Sequence, residues 1–405
     1  MLCQFTFKNY RSYRDEAELS MQATPMKEFE RSLIACPDGQ GFLPVAAVYG
    51  PNAGGKSNLL EALDYVRSAV ARPIRLLSAS ADAPGGDRPS IPRCSAFGFD
   101  DVSATEPTEF ELYYRAGDHE YRYALSVHAD EIVSEGLWRR KLGASRTAML
   151  FEREDTKVEL GPTLRKLVTA ARFNPSLPYL SFLCINFDAP VVQEAASWFL
   201  DTVFLNYNSS YLERMLEQML DEGDSREVTR FLRAVDVRID GFRVERAPEW
   251  RGQRVFVRHE VGGKAYELRL SEESAGTQKL MGLAAYLMTA LERGGTVVVD
   301  ELDAKLHPKL LRYVILLFKD PEVNKSGAQL IFSSQDVSTM RNDVFRRDEI
   351  WFAARGEGEA SQLWSLADIH EANGNLVSKN AAFDKQYLSG RYGADPYLTR
   401  IEEWD

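Results

Sequence analysis

Tyr49-Gly-Pro-Asn-Ala-Gly-Gly-Lys-Ser-Asn58 is the stretch whose reading decides the fold. Before it, Pro44-Val-Ala-Ala-Val-Tyr49 is a compact apolar run of the length of a buried strand. After Ser57 the apolar residues Leu59, Leu60, Leu63, Val66 and Val70 recur at helical spacing, and Pro73 is expected to stop the helix near Arg72. Strand, glycine loop, helix is the order of a phosphate-binding loop. Backbone N–H groups opening the helix converge on phosphate oxygens, helped by the helix dipole, and glycine permits the close approach. Asn52, Ala53, Gly54, Gly55, Lys56, Ser57 and Asn58 are therefore expected to hold a nucleotide, with Lys56 on the β- and γ-phosphates and the Ser57 hydroxyl on Mg²⁺.

A second apolar run, Thr296-Val-Val-Val-Asp300-Glu301, ends in two carboxylates. A buried parallel strand would deliver them to its carboxyl edge, where ligands sit in α/β sheets. Asp300 is expected to serve Mg²⁺, and Glu301 to orient or deprotonate the attacking water. Between the two runs, Leu270-Ser-Glu-Glu-Ser-Ala-Gly-Thr-Gln278 puts small residues at the start of a helix, where N–H groups and the Ser274 hydroxyl could meet an anion. A plain helix cap is the alternative, but the order of this segment in the chain favours more than a cap.

The remainder of the chain frames these elements. Its 405 residues, 44% hydrophobic, suffice for a large core, and 49 basic against 60 acidic residues give a net charge of -11 that should repel nucleic acid outside a local basic patch. Cys3, Cys36, Cys94 and Cys184 form no Cys-x-x-Cys pair and read as small buried residues of a reducing cytoplasm. Leu280–Leu291 is too short and interrupted to span a bilayer, so a soluble cytoplasmic protein without a membrane partner is expected. Phe110–Tyr114 and Tyr121–Val127 alternate around a Gly117-Asp118 turn, an antiparallel meander. From Ala189 to Val235, Trp198, Phe199, Leu212, Met215, Leu216, Met219 and Leu220 suggest an inserted helical subdomain, and short strands resume near Phe242–Val244 and Val255–Val257.

The glycine loop, Glu273-Ser-Ala-Gly-Thr277, the Asp300-Glu301 pair and Leu302-Asp-Ala-Lys-Leu-His-Pro308 stand in the order of the ABC-type ATPases, and the sequence resembles their SMC-like and RecF-like branch. Phe7-Lys-Asn-Tyr-Arg-Ser12 and Lys385-Gln-Tyr-Leu-Ser-Gly-Arg-Tyr-Gly-Ala-Asp-Pro396 look like the stand-alone ATPases of bacterial phage-defence and abortive-infection systems, of RloA/AbiL type. The resemblance implies an α/β fold: an ABC-type P-loop ATPase head with an antiparallel meander and a helical insertion. It implies one unit over 1–405, with a P-loop part (1–75), the meander (93–138), the insertion (185–238), a part carrying signature, acidic pair and switch strand (265–370), and a tail (371–405).

The resemblance further implies ATP and Mg²⁺ as cofactors and a head-to-tail homodimer, or a higher oligomer, in which Ser274 and Gly276 of one subunit close over the nucleotide on Lys56 of the other. Arg11 and Ser12 match a position that contacts the nucleotide, and Asp303 the loop linking the two sites. Two departures stand out. Ala304-Lys305 replaces the usual Ser or Asn, and Gln335 in Leu330-Ile-Phe-Ser-Ser-Gln-Asp336 stands where a histidine is expected on the γ-phosphate. Glutamine donates a hydrogen bond but carries no charge, so turnover should be slow. His307 reads as the cap of the next helix. No coiled-coil arm fits between Ser57 and Gly276, and the stretch after Gln335 is short for an appended nuclease domain, so the effector, such as a nuclease, is expected on a separate protein. The resemblance also admits a RecF-like repair ATPase that contacts DNA, or an ATP-dependent scaffold that holds a toxic partner without hydrolysis.

Overall fold

The computed structural model describes residues 1–79, 90–168, 172–206, 220, 226–235, 237–246, 253–371 and 374–394. The chain opens with β1 (Leu2–Lys8) and β2 (Ala17–Ser20), passes a short pair, β3 (Ile34–Ala35) and β4 (Gly41–Phe42), and enters β5 (Val45–Tyr49), which leads through the glycine loop into α1 (Lys56–Ala79). Five strands follow: β6 (Thr108–Ala116), β7 (His119–His128), β8 (Glu131–Lys141), β9 (Thr147–Glu154) and β10 (Lys157–Leu160). Then come α2 (Tyr179–Asn186), α3 (Pro190–Asp201), β11 (Val203–Asn206) and α4 (Arg226–Ala234), the strands β12 (Gly241–Arg246), β13 (Gln253–Val261) and β14 (Lys264–Arg269), and α5 (Ala275–Arg293). The last part holds β15 (Thr296–Asp300), α6 (Pro308–Lys319), β16 (Gln329–Ser333), β17 (Ile350–Arg355), β18 (Ser361–Ser365) and α7 (Phe383–Leu388).

Two large sheets organise these elements. A six-stranded sheet runs β11-β15-β16-β5-β17-β18, parallel except for the β17–β18 hairpin. Its central strands β5, β15 and β16 are buried along their whole length, as the unbroken apolar runs require when helices cover both faces. An antiparallel sheet runs β10-β9-β8-β7-β6-β1-β2. Its alternating residues turn Phe5, Phe7, Phe110, Tyr114 and Tyr123 inward onto α1 and α3. The expected α/β fold with an antiparallel meander is the architecture found.

Several local expectations need correction. The helix after the glycine loop does not stop at Pro73 but runs on to Ala79. Proline removes one backbone donor and crowds the carbonyls of the preceding turn. A neighbouring helix braces the turn before the proline: the buried Ser181 hydroxyl donates to the Val70 carbonyl at 2.8 Å. The meander does not end at Trp138 but continues through β9 and β10 and recruits β1 and β2. Trp198 and Phe199 of the helical stretch pack on Tyr114 and Phe199 on Tyr123, so α3 belongs to the core of the meander lobe. Behind it β11 is an unanticipated strand, parallel to β15, and β14 was not anticipated either. Cys36 and Cys184 are half-buried instead of buried. Leu212, Met215, Leu216 and Met219, like Asp395 and Pro396, lie outside the described residues. Among the described residues no helix is long and apolar enough to cross a membrane.

Candidate functional site

The glycine loop leaves the carboxyl end of β5 and is backed by the β17–β18 hairpin. A Cβ on Gly50 (φ 148°) would sit 2.0 Å from the Ala353 carbonyl oxygen, and one on Gly54 2.4 Å from the same atom. On Gly55 (φ 108°) it would lie 2.5 Å from Ser361 Oγ. The glycines are therefore demanded by the chain's own hairpin, before any phosphate approaches. At the apex Ala53 is held in left-handed conformation (φ 60°), and Arg355 Nε donates to its carbonyl at 2.9 Å. The base of the loop is tied by Tyr13, whose hydroxyl donates to the Gly55 carbonyl at 3.2 Å.

Arg11 and Ser12 do reach this region. Asn58 Nδ2 donates to Ser12 Oγ at 2.7 Å, and Ser361 Oγ donates to the same oxygen at 2.8 Å. Arg11, in left-handed conformation (φ 50°), pairs with Glu61 on the first turns of α1 and leans on Asn58. Both partners of that ion pair are exposed, so it contributes little stability.

Lys56 is 7% exposed, with Nζ donating to the Gly50 and Pro51 carbonyls at 2.8 and 2.9 Å. Burial pulls its pKa below the usual lysine value, while Asp300, Asp303 and Glu301 oppose that shift. Ser57 Oγ donates to Asp300 Oδ1 at 3.2 Å, across 243 positions of sequence. A second hydroxyl, Ser333 Oγ, donates to the same Oδ1 at 2.5 Å and accepts from Glu301 N at 2.8 Å. Glu301 takes a left-handed conformation (φ 53°), as does Lys305 (φ 66°). Asp303 Oδ2 accepts from the backbone N–H groups of Gln335 and Asp336 at 3.2 and 3.1 Å, and its buried Oδ1 has no partner among the described residues. The Gln335 side chain is exposed.

Non-glycine residues in left-handed backbone thus recur around one edge of the sheet, at Arg11, Ala53, Glu301 and Lys305. Such conformations cost of order 1–3 kcal/mol each and persist where surrounding contacts impose them. An oxygen-rich pair, Ser57 with Asp300, beside a buried ammonium and a cradle that excludes Cβ atoms has the donor set that suits Mg²⁺ and phosphate.

Ser274 and Gly276 are placed differently. Ser274 caps α5, its hydroxyl accepting from Thr277 N at 3.1 Å, so the capping explanation is realised. Ser274 is exposed, and its hydroxyl bonds only within that first turn. Around Gly276 there is room: a Cβ there would meet nothing nearer than the Lys305 carbonyl at 3.6 Å. Neither residue touches the glycine loop. His307 caps α6, with Nδ1 accepting from Lys309 N at 3.2 Å.

Tyr13, Arg355, Ser361 and Ser333 are site residues that sequence reasoning missed. Only Ser333 left a signal, as a hydroxyl closing the otherwise apolar end of a strand.

A family model described as AAA domain, putative AbiEii toxin, Type IV TA system matches residues 45–341, from β5 to just past β16. No curated protein matches the sequence. Among solved structures, the SMC head domain from Thermotoga maritima is similar at 13% identity, over 90% of this chain and 98% of that chain, with a TM-score of 0.42. An SmcHead bound to the C-winged helix domain of ScpA is 16% identical over 90% and 97%, with a TM-score of 0.47. An Smc head domain with an extended coiled coil, bound to the C-terminal domain of ScpA derived from Pyrococcus furiosus, is 13% identical over 90% and 96%, with a TM-score of 0.39.

Proposed function

We propose a function from one premise: the chain belongs to the AAA domain family described as putative AbiEii toxin of type IV toxin–antitoxin systems. On that premise it is a nucleotide-binding protein of ATPase type. The reading supported best is an ATPase that binds Mg²⁺ and ATP at the glycine loop, dimerises head to tail on the nucleotide, and regulates a defence system whose effector is a separate protein. The observation that carries it is the meeting of Ser57 and Asp300 at 3.2 Å beside the buried Lys56.

In this reading Asn52, Ala53, Gly54 and Gly55 offer backbone N–H groups to the phosphates, Lys56 neutralises their charge, and Arg11, Ser12 and Asn58 line the flank. Ser57 and Asp300 would hold Mg²⁺, which polarises the terminal phosphate. Glu301 takes the proton of the attacking water. Ser274 and Gly276 serve the partner subunit's nucleotide, which fits a glycine that its own chain does not require.

Glu301→Gln is the direct test. Turnover should fall about a hundredfold or more, while ATP binding persists and an ATP-dependent dimer accumulates on a sizing column. Turnover equal to the parent's would remove Glu301 as base. A second reading, a scaffold that binds ATP and hardly hydrolyses it, is favoured by Gln335. A parent protein that forms the ATP dimer with no measurable phosphate release would select it.

A further inference from the structure

We propose that Ser333 is the positioning residue of the acidic pair, holding Asp300 and Glu301 in the geometry that Mg²⁺ use and water activation require. The inference rests on the ATPase reading above and adds a residue which that reading does not contain.

Ser333 closes β16, the strand between β5 and β15, and its Cα pairs with Val48 of the strand that carries the glycine loop. It is 1% exposed. Three consecutive residues on the other side hang on it. Its hydroxyl donates to Asp300 Oδ1 (2.5 Å) and accepts from Glu301 N (2.8 Å), and its carbonyl accepts from Leu302 N (3.1 Å). The direction of the hydroxyl proton is not open to choice. The Glu301 N–H must donate, so it occupies a lone pair of Oγ, and the single hydroxyl proton goes to the carboxylate.

Two consequences follow for the pair. Glu301 sits at φ 53°, a conformation that has to be imposed, and the N–H bond to Ser333 is one of the contacts imposing it. Asp300 Oδ1 takes two hydroxyl donors, Ser57 and Ser333. Under the ATPase reading the Ser57 oxygen is committed to Mg²⁺. Ser333 is then the donor that keeps the Asp300 carboxylate oriented, in the manner of the outer partners that orient metal-binding carboxylates. Alanine at this position would remove the Ser333 acceptor from the Glu301 N–H and one of the two hydroxyl donors from the Asp300 carboxylate, with no group that touches nucleotide removed.

The test compares the parent with Ser333→Ala and Ser333→Thr, the latter keeping the hydroxyl. Backbone hydrogen exchange over residues 297–303 is read without nucleotide. Ser333→Ala should speed exchange at Glu301 while Val297–Val299 stay protected, and Ser333→Thr should restore it. With ATP, Ser333→Ala should raise the half-saturating Mg²⁺ concentration and lower turnover, each about tenfold or more, while nucleotide affinity without metal stays at the parent's value. Ser333→Thr should return towards the parent in all of these. Unchanged exchange at Glu301, or exchange accelerated along the whole strand, overturns the proposal, as does an unaltered Mg²⁺ requirement. If the parent itself neither binds nor hydrolyses ATP, the ATPase reading fails, and a local effect at Glu301 would then assign Ser333 to the fold alone.

Discussion

The glycine loop and the start of α5 are both stretches of small residues opening a helix, yet the molecule treats them oppositely. Gly50, Gly54 and Gly55 are pressed against Ala353 and Ser361, Lys56 is tied to the Gly50 and Pro51 carbonyls, and Ser57 to Asp300. Ser274 is exposed and bonds within its own turn, and Gly276 is half-exposed, with room for a Cβ at ordinary van der Waals distance from the Lys305 carbonyl. The first region is finished inside the chain. The second has the same chemistry, N–H groups and a hydroxyl at a helix N-terminus, and among the described residues the Ser274 hydroxyl bonds Thr277 of its own turn. Small residues of the first region are needed for packing against the hairpin, and Gly276 of the second is not.

The contrast breaks most visibly if glycines of the first region can be replaced. Gly50→Ala places a Cβ against a backbone oxygen that cannot rotate away and does so at a positive φ, so a loss of stability on the order of 3–5 kcal/mol is expected. Urea denaturation without nucleotide reads it. A midpoint close to the parent's would mean that the hairpin yields and that the loop is not finished inside the chain.

A smaller effect tests the charge at the centre of the first region. Burial depresses the Lys56 pKa, so the charged form that binds phosphate is lost at a lower pH than for an ordinary lysine at about 10.4. ATP affinity should be full below the depressed pKa and fall about tenfold per pH unit above it. Without nucleotide the sign reverses: the unfolded chain binds the proton more tightly, so folding gains stability as pH rises between the depressed and the ordinary values. Titrating a fluorescent ATP analogue across this range, with Lys56→Arg as the variant that keeps its charge, checks the first, and urea denaturation without nucleotide over the same range checks the second. Affinity that holds to the ordinary lysine pKa contradicts the burial argument.

How legible all this was depends on whether a signal is local. Lys56, Ser57, Asp300 and Glu301 were legible because apolar runs and adjacent polar ends lie within a few residues of each other. Ser361, Tyr13 and Arg355 were not, because each bonds a residue far away in sequence, which no spacing rule encodes, and Ser333 showed only as a hydroxyl at a strand end. Pro73 misled because the helix is held by its packing, including a bond from Ser181, over a hundred positions away, to the Val70 carbonyl, which the local pattern does not encode. The antiparallel sheet was underestimated at both ends: β10 is only four residues long, and β1 joins β6 across a hundred residues.

The smallest expected change of stability carries the sharpest test of the contrast. Gly276 lies in the first turn of α5 with helical backbone and a clear volume where a methyl group would go. Glycine in a helix loses more conformational freedom on folding than alanine, so Gly276→Ala should leave the fold intact and stabilise it by about 0.4–1 kcal/mol. The use proposed above for this residue, which weakens its own helix, is close approach to the partner subunit's nucleotide. Gly276→Ala should therefore hydrolyse ATP more slowly and form the ATP dimer less readily while melting no lower than the parent. Subunits of this variant mixed with Lys56→Ala subunits should recover part of the turnover, because one composite site of the pair is then unaltered. A variant more stable and equally active would show that the open end of α5 is only a helix start, and the two regions would differ in packing alone.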